Sequence, residues 1–210
     1  MIYVPFLFAL CFHEFAHAWV AKRLGDPTAD MMGRLNMNPM SHIDWIGTVI
    51  LPLAAIHLQL GIFFGWAKPV PYNRNNLENP KVGEFWIAAA GPLSNILLAV
   101  VASILYGLIP LFGESALAGP AQPFFGSFIL INLFLAIFNL IPIHPLDGGK
   151  VLARFISDDM NRKLEMNQQM LSIILLILII SGGLRFLAIP VYWAQGLLVG
   201  LSQFITQSLI

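Results

Sequence analysis

Two stretches of this sequence contain no charged residue, and each is long enough to cross a lipid bilayer. Residues 85–113 and residues 124–146 carry no Asp, Glu, Lys or Arg, and a helix needs only about 20 apolar residues to span the hydrocarbon core. The chain is 58% hydrophobic and 10% charged, whereas soluble domains carry about 25% charged residues. One core in a chain this short cannot bury so much apolar surface, so the sequence predicts a membrane protein.

Further apolar runs complete the predicted fold, an all-α polytopic membrane protein with five or six hydrophobic helices in one domain over residues 1–210. The first run has no basic leader and no small-residue cleavage site, so we interpret it as a retained helix. Pro120 and Pro123 predict a short loop before the second uncharged stretch. The additional runs are residues 1–22, 45–67, 170–184 and 186–210.

The distribution of basic residues predicts how the chain is oriented in the membrane. Cytoplasmic loops are enriched in Lys and Arg, and residues 114–123 contain neither. The basic clusters fall within residues 22–34, 68–81 and 150–163. We therefore predict that all three clusters are cytoplasmic and that residues 114–123 are outside.

This orientation requires that residues 45–73 make no net crossing of the membrane. We predict a helix from about 45 to 60 and then an extended re-entrant return through Gly61, Gly65 and the prolines. Pro69 and Pro71 support an extended segment, because proline lacks the N–H donor that a helix needs. The alternative is a plain transmembrane helix over residues 45–66.

Charge and cysteine content exclude other classes of protein. Eleven basic and eleven acidic residues give a formal net charge of zero, so the chain lacks the basic surface that nucleic acid requires. Cys11 is the single cysteine, which rules out an intrachain disulfide.

The motif His13-Glu14-Phe15-Ala16-His17 lies inside the first apolar run. Residues four apart share one helix face, so the imidazoles of His13 and His17 can bind one metal ion, and zinc favours such ligands. Glu14 is placed to act as the general base in hydrolysis. Ionisable residues inside a membrane-spanning helix are energetically costly and are usually functional. The alternatives are a polar cluster that holds helices together and a proton path.

Few acidic residues lie in or against an apolar run, and after Glu14 the other clear case is Asp147, which is therefore the candidate for a third metal ligand. It follows a stretch broken by Pro142 and Pro145, and it precedes two glycines. Such a bend can direct a carboxylate inward at the end of a helix. His144 lies three residues away and is an alternative ligand or a neighbour of the ligands. We interpret His42 and His57 as structural, because neither has ligand spacing to another histidine.

Together, HEFAH and the downstream sequence NLIPIHPLDGG resemble the site-2 protease family of intramembrane zinc metalloproteases. Asn139, Pro142, Asp147 and Gly148 match the family signature N-x-x-P-x-x-x-x-D-G. Residues 91–95 (GPLSN) resemble its central-helix motif, and residues 65–71 (GWAKPVP) resemble a segment of short prokaryotic members. No PDZ domain can be accommodated in the short loop at 114–123.

The resemblance implies Zn2+ held by His13, His17 and Asp147, with Glu14 as the catalytic base. It also implies that Asn95 and Asn139 help to position the substrate backbone or the oxyanion. The catalytic core would then be about 1–155, with accessory C-terminal helices at about 170–210.

The function implied by the resemblance is hydrolysis of peptide bonds in transmembrane or membrane-proximal protein segments, in a multi-pass protein of the cell membrane. Its partners would be a transmembrane-helix substrate and the lipid bilayer. Two other functions stay open, a membrane metal transporter and an inactive relative that binds helices without cutting them.

Overall fold

The computed structural model describes residues 2–58, 65–112 and 118–208. Within these ranges the chain is helical apart from turns and one extended segment, and it contains no strand. The α-helices are α1 (Tyr3–Arg23), α2 (Thr28–Met31), α3 (Pro39–His42), α4 (Leu51–His57), α5 (Pro80–Leu108), α6 (Ala118–Asn139), α7 (Asp147–Ala153), α8 (Asp158–Met166), α9 (Gln168–Ile180) and α10 (Ala188–Gln207). A π-helical turn covers Trp45–Ile50, and 3-10 turns cover Arg74–Asn76, Ile109–Phe112 and Arg185–Leu187.

The described residues contain 4 helices that are long and apolar enough to cross a membrane. A fifth span results if α8 and α9, which meet at a bend of 64°, count as one. The predicted all-α membrane fold is therefore confirmed, with four to five spans. The single spans are Tyr3–Arg23, Pro80–Leu111, Gly119–Asn139 and Arg185–Gln207.

The ends of the two central helices differ from the sequence prediction. Helix α6 already includes Pro120 and Pro123, so the predicted loop there is wrong. Proline is tolerated in the first turn of a helix, where its missing N–H would have no partner, and Pro120 lies there. Pro123 lies one turn further, inside the helix. The helix also ends at Asn139 rather than at 146, because Pro142 and Pro145 cannot continue it.

Helices α1, α5 and α6 pack together, and α10 covers α5 and α6. Alanines at the α5–α6 contact, among them Ala99 and Ala102, let the backbones approach closely, which is the usual basis of helix association in lipid. Helix α10 is joined to α5 by a hydrogen bond of 2.7 Å from the Thr206 hydroxyl to the Gly107 carbonyl. These contacts form the frame that positions the residues of the first motif.

The outer surface of α5 is apolar over several turns. Leu93, Leu97, Val101 and Ile104 are exposed, and their spacing places them on one helix face. Soluble proteins seldom expose a continuous apolar surface of this kind. This face is therefore suited to contact lipid.

Residues 45–73 fold back on themselves. The Trp66 N–H donates to the Gly47 carbonyl at 3.1 Å, and the Lys68 N–H donates to the His42 carbonyl at 2.9 Å. The helix ends at His57 and residues 65–73 are extended, so a plain helix over 45–66 is wrong. Gly61 lies outside the described residues. The described residues on the two sides of 59–64 are hydrogen-bonded to each other, as the prediction of a re-entrant return requires.

Candidate metal centre

The HExxH motif lies in the middle of α1, and its three polar side chains are buried. The ring centroids of His13 and His17 are 4.6 Å apart. One ligand atom from each of His13, Glu14 and His17 lies within 4.8 Å of the others. Helix α1 passes against α5 and α6, which explains how a membrane helix can hold polar residues away from lipid.

Asp147 at the start of α7 completes a three-atom cluster. Its Oδ2 is 3.1 Å from His13 Nε2 and 3.3 Å from His17 Nε2. Although this oxygen is buried and close to both rings, it accepts no well-oriented hydrogen bond from the described residues. Ligands about 2.0–2.1 Å from a tetrahedral zinc ion lie about 3.3 Å apart. The donor set and the spacing therefore fit zinc, with a fourth position left for water.

The hydrogen bonds of both rings place the proton of the neutral imidazole on Nδ1, which leaves Nε2 available to a metal. His17 Nδ1 lies 2.6 Å from the Ile87 carbonyl, which can only accept, so Nδ1 carries the proton. His13 Nδ1 lies 2.6 Å from Asn95 Oδ1. Asn95 donates its amide to Asn132 Oδ1 at 2.9 Å, and Asn132 donates to the Phe128 carbonyl at 2.8 Å. This chain fixes the orientation of both amides, so His13 Nδ1 is also the donor and each Nε2 can bind metal.

Gly91 on α5 allows the two rings to approach the helix backbone. A Cβ at this position would lie 2.5 Å from His13 Cε1 and 2.5 Å from His17 Nε2. The Asp147 turn needs glycine for the same reason, because a Cβ on Gly148 would overlap the carbonyls of Leu140 and Ile141. Both glycine motifs of the sequence therefore serve close packing around the cluster.

We expect Gly91→Ala to lose metal, because the added methyl group would displace both imidazoles. Disturbing groups around metal ligands typically lowers affinity by about 10–100-fold, and we expect a loss at the upper end. The measurement is zinc content of the purified protein after dialysis. Gly196→Ala on α10 is the matched control, since its Cβ would meet nothing within 4 Å. Equal zinc in both variants would contradict this account of Gly91.

Comparison with known proteins agrees with this geometry. Residues 103–181 match the model of "Peptidase family M50". YwhC of Bacillus subtilis is 33% identical over 181 residues, which cover 85% of this chain and 79% of that protein. Rip2 of Mycolicibacterium smegmatis is 30% identical over 92% of this chain and 72% of its own length. Both are named as candidate zinc metalloproteases. No solved structure gave a significant match.

The chain belongs to peptidase family M50. This is the family of the site-2 proteases, so the predicted resemblance is confirmed, together with a metallopeptidase function and zinc as the cofactor. Zinc metalloprotease MJ0392 of Methanocaldococcus jannaschii is a more distant relative, 25% identical over 75% of this chain and 34% of its own length. The assignment of individual site residues comes from the structure and stays a proposal.

In this M50 peptidase, Glu14 is held by the extended segment. Its Oε2 accepts a hydrogen bond of 2.9 Å from the Val70 N–H. Pro69 and Pro71 have no N–H, so Val70 is the single backbone donor of this triplet. This contact joins residues 56 apart in the chain and could not be predicted from the sequence, although the two prolines do leave Val70 as the donor.

Two residues that the sequence analysis passed over hold the extended segment in place. Arg34 is buried, and its Nη2 donates to the Lys68 carbonyl at 2.7 Å. Asp26 is fully buried and accepts from the Asn73 N–H and the Asn76 amide, both at 2.7 Å. Polar residues in a loop gave no sequence signal, because their partners are distant in the chain.

We expect Asp26→Asn to destabilise the M50 peptidase at neutral pH. Burial raises the pKa of Asp26, but the hydrogen bonds from Thr28, Asn76 and Asn73 outweigh it and lower the pKa. A lowered pKa in the folded state stabilises the protein above the unfolded pKa, and this contribution is lost as pH falls through the folded pKa. Charged hydrogen bonds contribute about 1.5–3 kcal/mol.

The measurement is the melting temperature of wild type and variant in detergent as a function of pH. The difference should be largest at neutral pH and should shrink in acid. Asp30→Asn is the control, because Asp30 lies four residues further on, in α2, with an exposed salt bridge to Lys22. A difference that is independent of pH would contradict the assigned role of Asp26.

The cluster opens into a cavity of about 480 Å³ that is mainly apolar. Asn139 lines this cavity, and its amide donates to the Leu135 carbonyl at 2.9 Å, which leaves its oxygen available. Asn95 is fully buried against His13 instead. Its contacts favour positioning of His13 over contact with a substrate.

The other histidines lie outside the cluster. His144 is buried but lines a different cavity from the one that holds His13 and His17. His42 is buried, and its Nε2 pairs with the Asn36 carbonyl at 2.8 Å. His57 is exposed at the end of α4. The prediction that Asp147, rather than His144, joins the two histidines therefore agrees with the geometry.

Proposed function

We propose that this M50 peptidase hydrolyses peptide bonds of transmembrane or membrane-proximal protein segments within the cell membrane, with His13, His17 and Asp147 as zinc ligands. The observation that supports this most strongly is the position of the cluster. His13 lies about 15 Å along α1 from Tyr3, inside a helix that can span the bilayer. A substrate must therefore reach the cluster at membrane depth.

Zinc bound by these residues would polarise the scissile carbonyl and make water a better nucleophile. Glu14 then accepts the proton of the attacking water and delivers it to the departing amide nitrogen as the C–N bond breaks. The Val70 N–H holds Glu14 Oε2, so the other carboxylate oxygen remains free to exchange the proton. Asn95 keeps the His13 ring oriented during the reaction, because its side-chain oxygen accepts a hydrogen bond from His13 Nδ1.

The extended segment offers a place for an extended substrate backbone. The Trp66 N–H donates to the turn that precedes α4, and the Lys68 N–H donates to the end of α3. In an extended chain the backbone N–H and carbonyl groups of successive residues point to opposite edges. The N–H and carbonyl of Ala67 therefore face the edge opposite to that of Trp66 and Lys68. Ala67 lines the cavity. A substrate could pair with it by strand addition, and the Asn139 oxygen could accept a further N–H.

The test is reconstitution of the purified protein in liposomes with a panel of transmembrane substrates. Cleavage products identified by mass spectrometry, lost on chelation and restored by zinc, would support the proposal. Zinc flux across the liposome membrane without cleavage would instead support a transporter. Zinc-dependent binding of substrate helices without cleavage would support an inactive binding relative.

We expect both basic loops around the re-entrant region to face the cytoplasm. In a Cys11→Ser background, Met31→Cys and Asn75→Cys should stay protected from a membrane-impermeant thiol reagent on intact cells, while Gln122→Cys should react. All three original side chains are exposed, so burial would not cause protection. Labelling of Asn75→Cys from outside, with Met31→Cys protected, would overturn this orientation.

A further inference from the structure

A second cavity of about 220 Å³ adjoins the catalytic cavity, and we call it the polar vestibule. Tyr72 and Lys150 line both cavities and form the neck between them. The vestibule lies between the extended segment, the start of α5 and helix α8. Its polar lining includes Tyr72, Glu84, His144, Lys150, Asp158 and Glu165.

Most charges around the vestibule are paired within the protein. Arg74 Nε is 3.3 Å from Glu84 Oε2, and Lys81 Nζ is 2.9 Å from Asp158 Oδ1. The Tyr72 hydroxyl also donates to Glu84 at 3.2 Å. These pairs hold the walls of the vestibule together.

Lys150 differs from the other cations of the vestibule. Among the described residues it forms no salt bridge, and its Nζ lies 4.9 Å from the ring centre of Tyr72. It is half-buried and lies one helical turn after Asp147 on α7. A half-buried ammonium group between two cavities favours an anionic partner.

The vestibule also contains polar atoms that have no hydrogen-bond partner among the described residues. His144 is 4% exposed, and its Nε2 forms no hydrogen bond. Asn161 donates its amide to Glu165 at 2.8 Å, but its own buried oxygen accepts nothing. Buried polar groups are normally paired. The unpaired atoms therefore indicate a ligand with both donors and acceptors, which a peptide backbone provides.

We propose that the polar vestibule binds the polar flank of the substrate, beyond the scissile bond, as an extended peptide with an acidic side chain at Lys150. This inference rests on the proposed proteolytic function and adds a determinant of substrate choice to it. A peptide that continues from the catalytic cavity passes Tyr72 and Lys150 before it meets His144. Lys150 would therefore select for charge, and His144 would bind the backbone of any flank.

The test is a charge exchange between the enzyme and a cleavable substrate. Aspartate and lysine are placed in turn at each position of the polar flank, and KM and kcat are measured in liposomes. At one position the wild type should prefer aspartate, and Lys150→Glu should prefer lysine, with KM changing by about tenfold. Lys150→Arg should keep the wild-type preference.

Two controls separate charge recognition from structural damage. Lys163→Gln removes an exposed cation of α8 outside the vestibule lining and should change neither preference. Zinc content should be the same in all variants. Substrate bound to Glu14→Gln, with a photo-crosslinking residue in its flank, should attach to residues of the vestibule.

The outcomes distinguish the two proposals. If the wild type cleaves no substrate, the proposed function fails and the inference fails with it. If the wild type cleaves, but wild type and Lys150→Glu show the same KM for both flanks, the vestibule inference alone is overturned. Crosslinks confined to the catalytic cavity would also overturn it and would leave water as the partner of His144.

Discussion

Glu14→Gln should keep its zinc and lose cleavage. Glu14 lies beside the ligand cluster, but its Oε2 is already bound to the Val70 N–H, while three other atoms converge at 3.1 and 3.3 Å. Glutamine preserves the size of the side chain but cannot take a proton. General base catalysis contributes about 10²–10⁴-fold, so we expect activity to fall by about that factor.

Zinc content and the cleavage rate should be measured on the same preparation. His13→Ala is the matched comparison, because it should lose both zinc and cleavage. His17→Ala should behave in the same way. Cleavage by Glu14→Gln at the wild-type rate would show that another group acts as the base.

Asp147→Asn should lose both zinc and activity. The carboxylate oxygen at 3.1 Å from His13 Nε2 and 3.3 Å from His17 Nε2 is the third donor of the cluster. An asparagine oxygen is neutral, and its amide nitrogen could turn toward the metal position. We expect zinc affinity to fall by more than the 10–100-fold that loss of a supporting group typically costs.

His144→Ala separates this account from the alternative ligand. His144 lines the polar vestibule and not the catalytic cavity, so this variant should retain zinc. Zinc affinity is measured by competition with a chromophoric chelator for both variants. Zinc retained by Asp147→Asn and lost by His144→Ala would transfer the ligand role to His144.

The class of the protein, and the residues proposed as main members of the site, could be predicted from the sequence. Uncharged runs over residues 85–113 and 124–146 predict membrane helices, because the length of an apolar run directly measures its ability to span lipid. The pair His13 and His17 is also local information, since a helix brings residues four apart onto one face. Asp147 could be selected because it joins a carboxylate at the end of an apolar run to a bend made by prolines and glycines.

Helix ends were predicted less well than helix existence. Helix α6 continues through Pro120 and Pro123 and ends at Asn139. Pro120 lies in the first turn, where proline is tolerated, and composition does not distinguish that position from one beyond the end of a helix. Pro123 lies inside α6, against the usual effect of proline in a helix. Residues 45–67 had the composition of a membrane helix, but the hydrogen bond from Trp66 to Gly47 shows that the chain turns back.

The contacts that hold the site together join residues far apart in the chain, and they are seen only in the tertiary structure. Val70 and Glu14 are 56 residues apart, and His13 and Asn95 are 82 residues apart. Periodicity and propensity describe neighbours within a few turns, so they carry no information on such pairs. The polar vestibule is likewise formed by four separate segments that contribute Tyr72, Glu84, His144 and Glu165. Helices α1, α5 and α6 pack closely because Gly91 has no side chain. This packing brings the metal ligands and their supporting groups together.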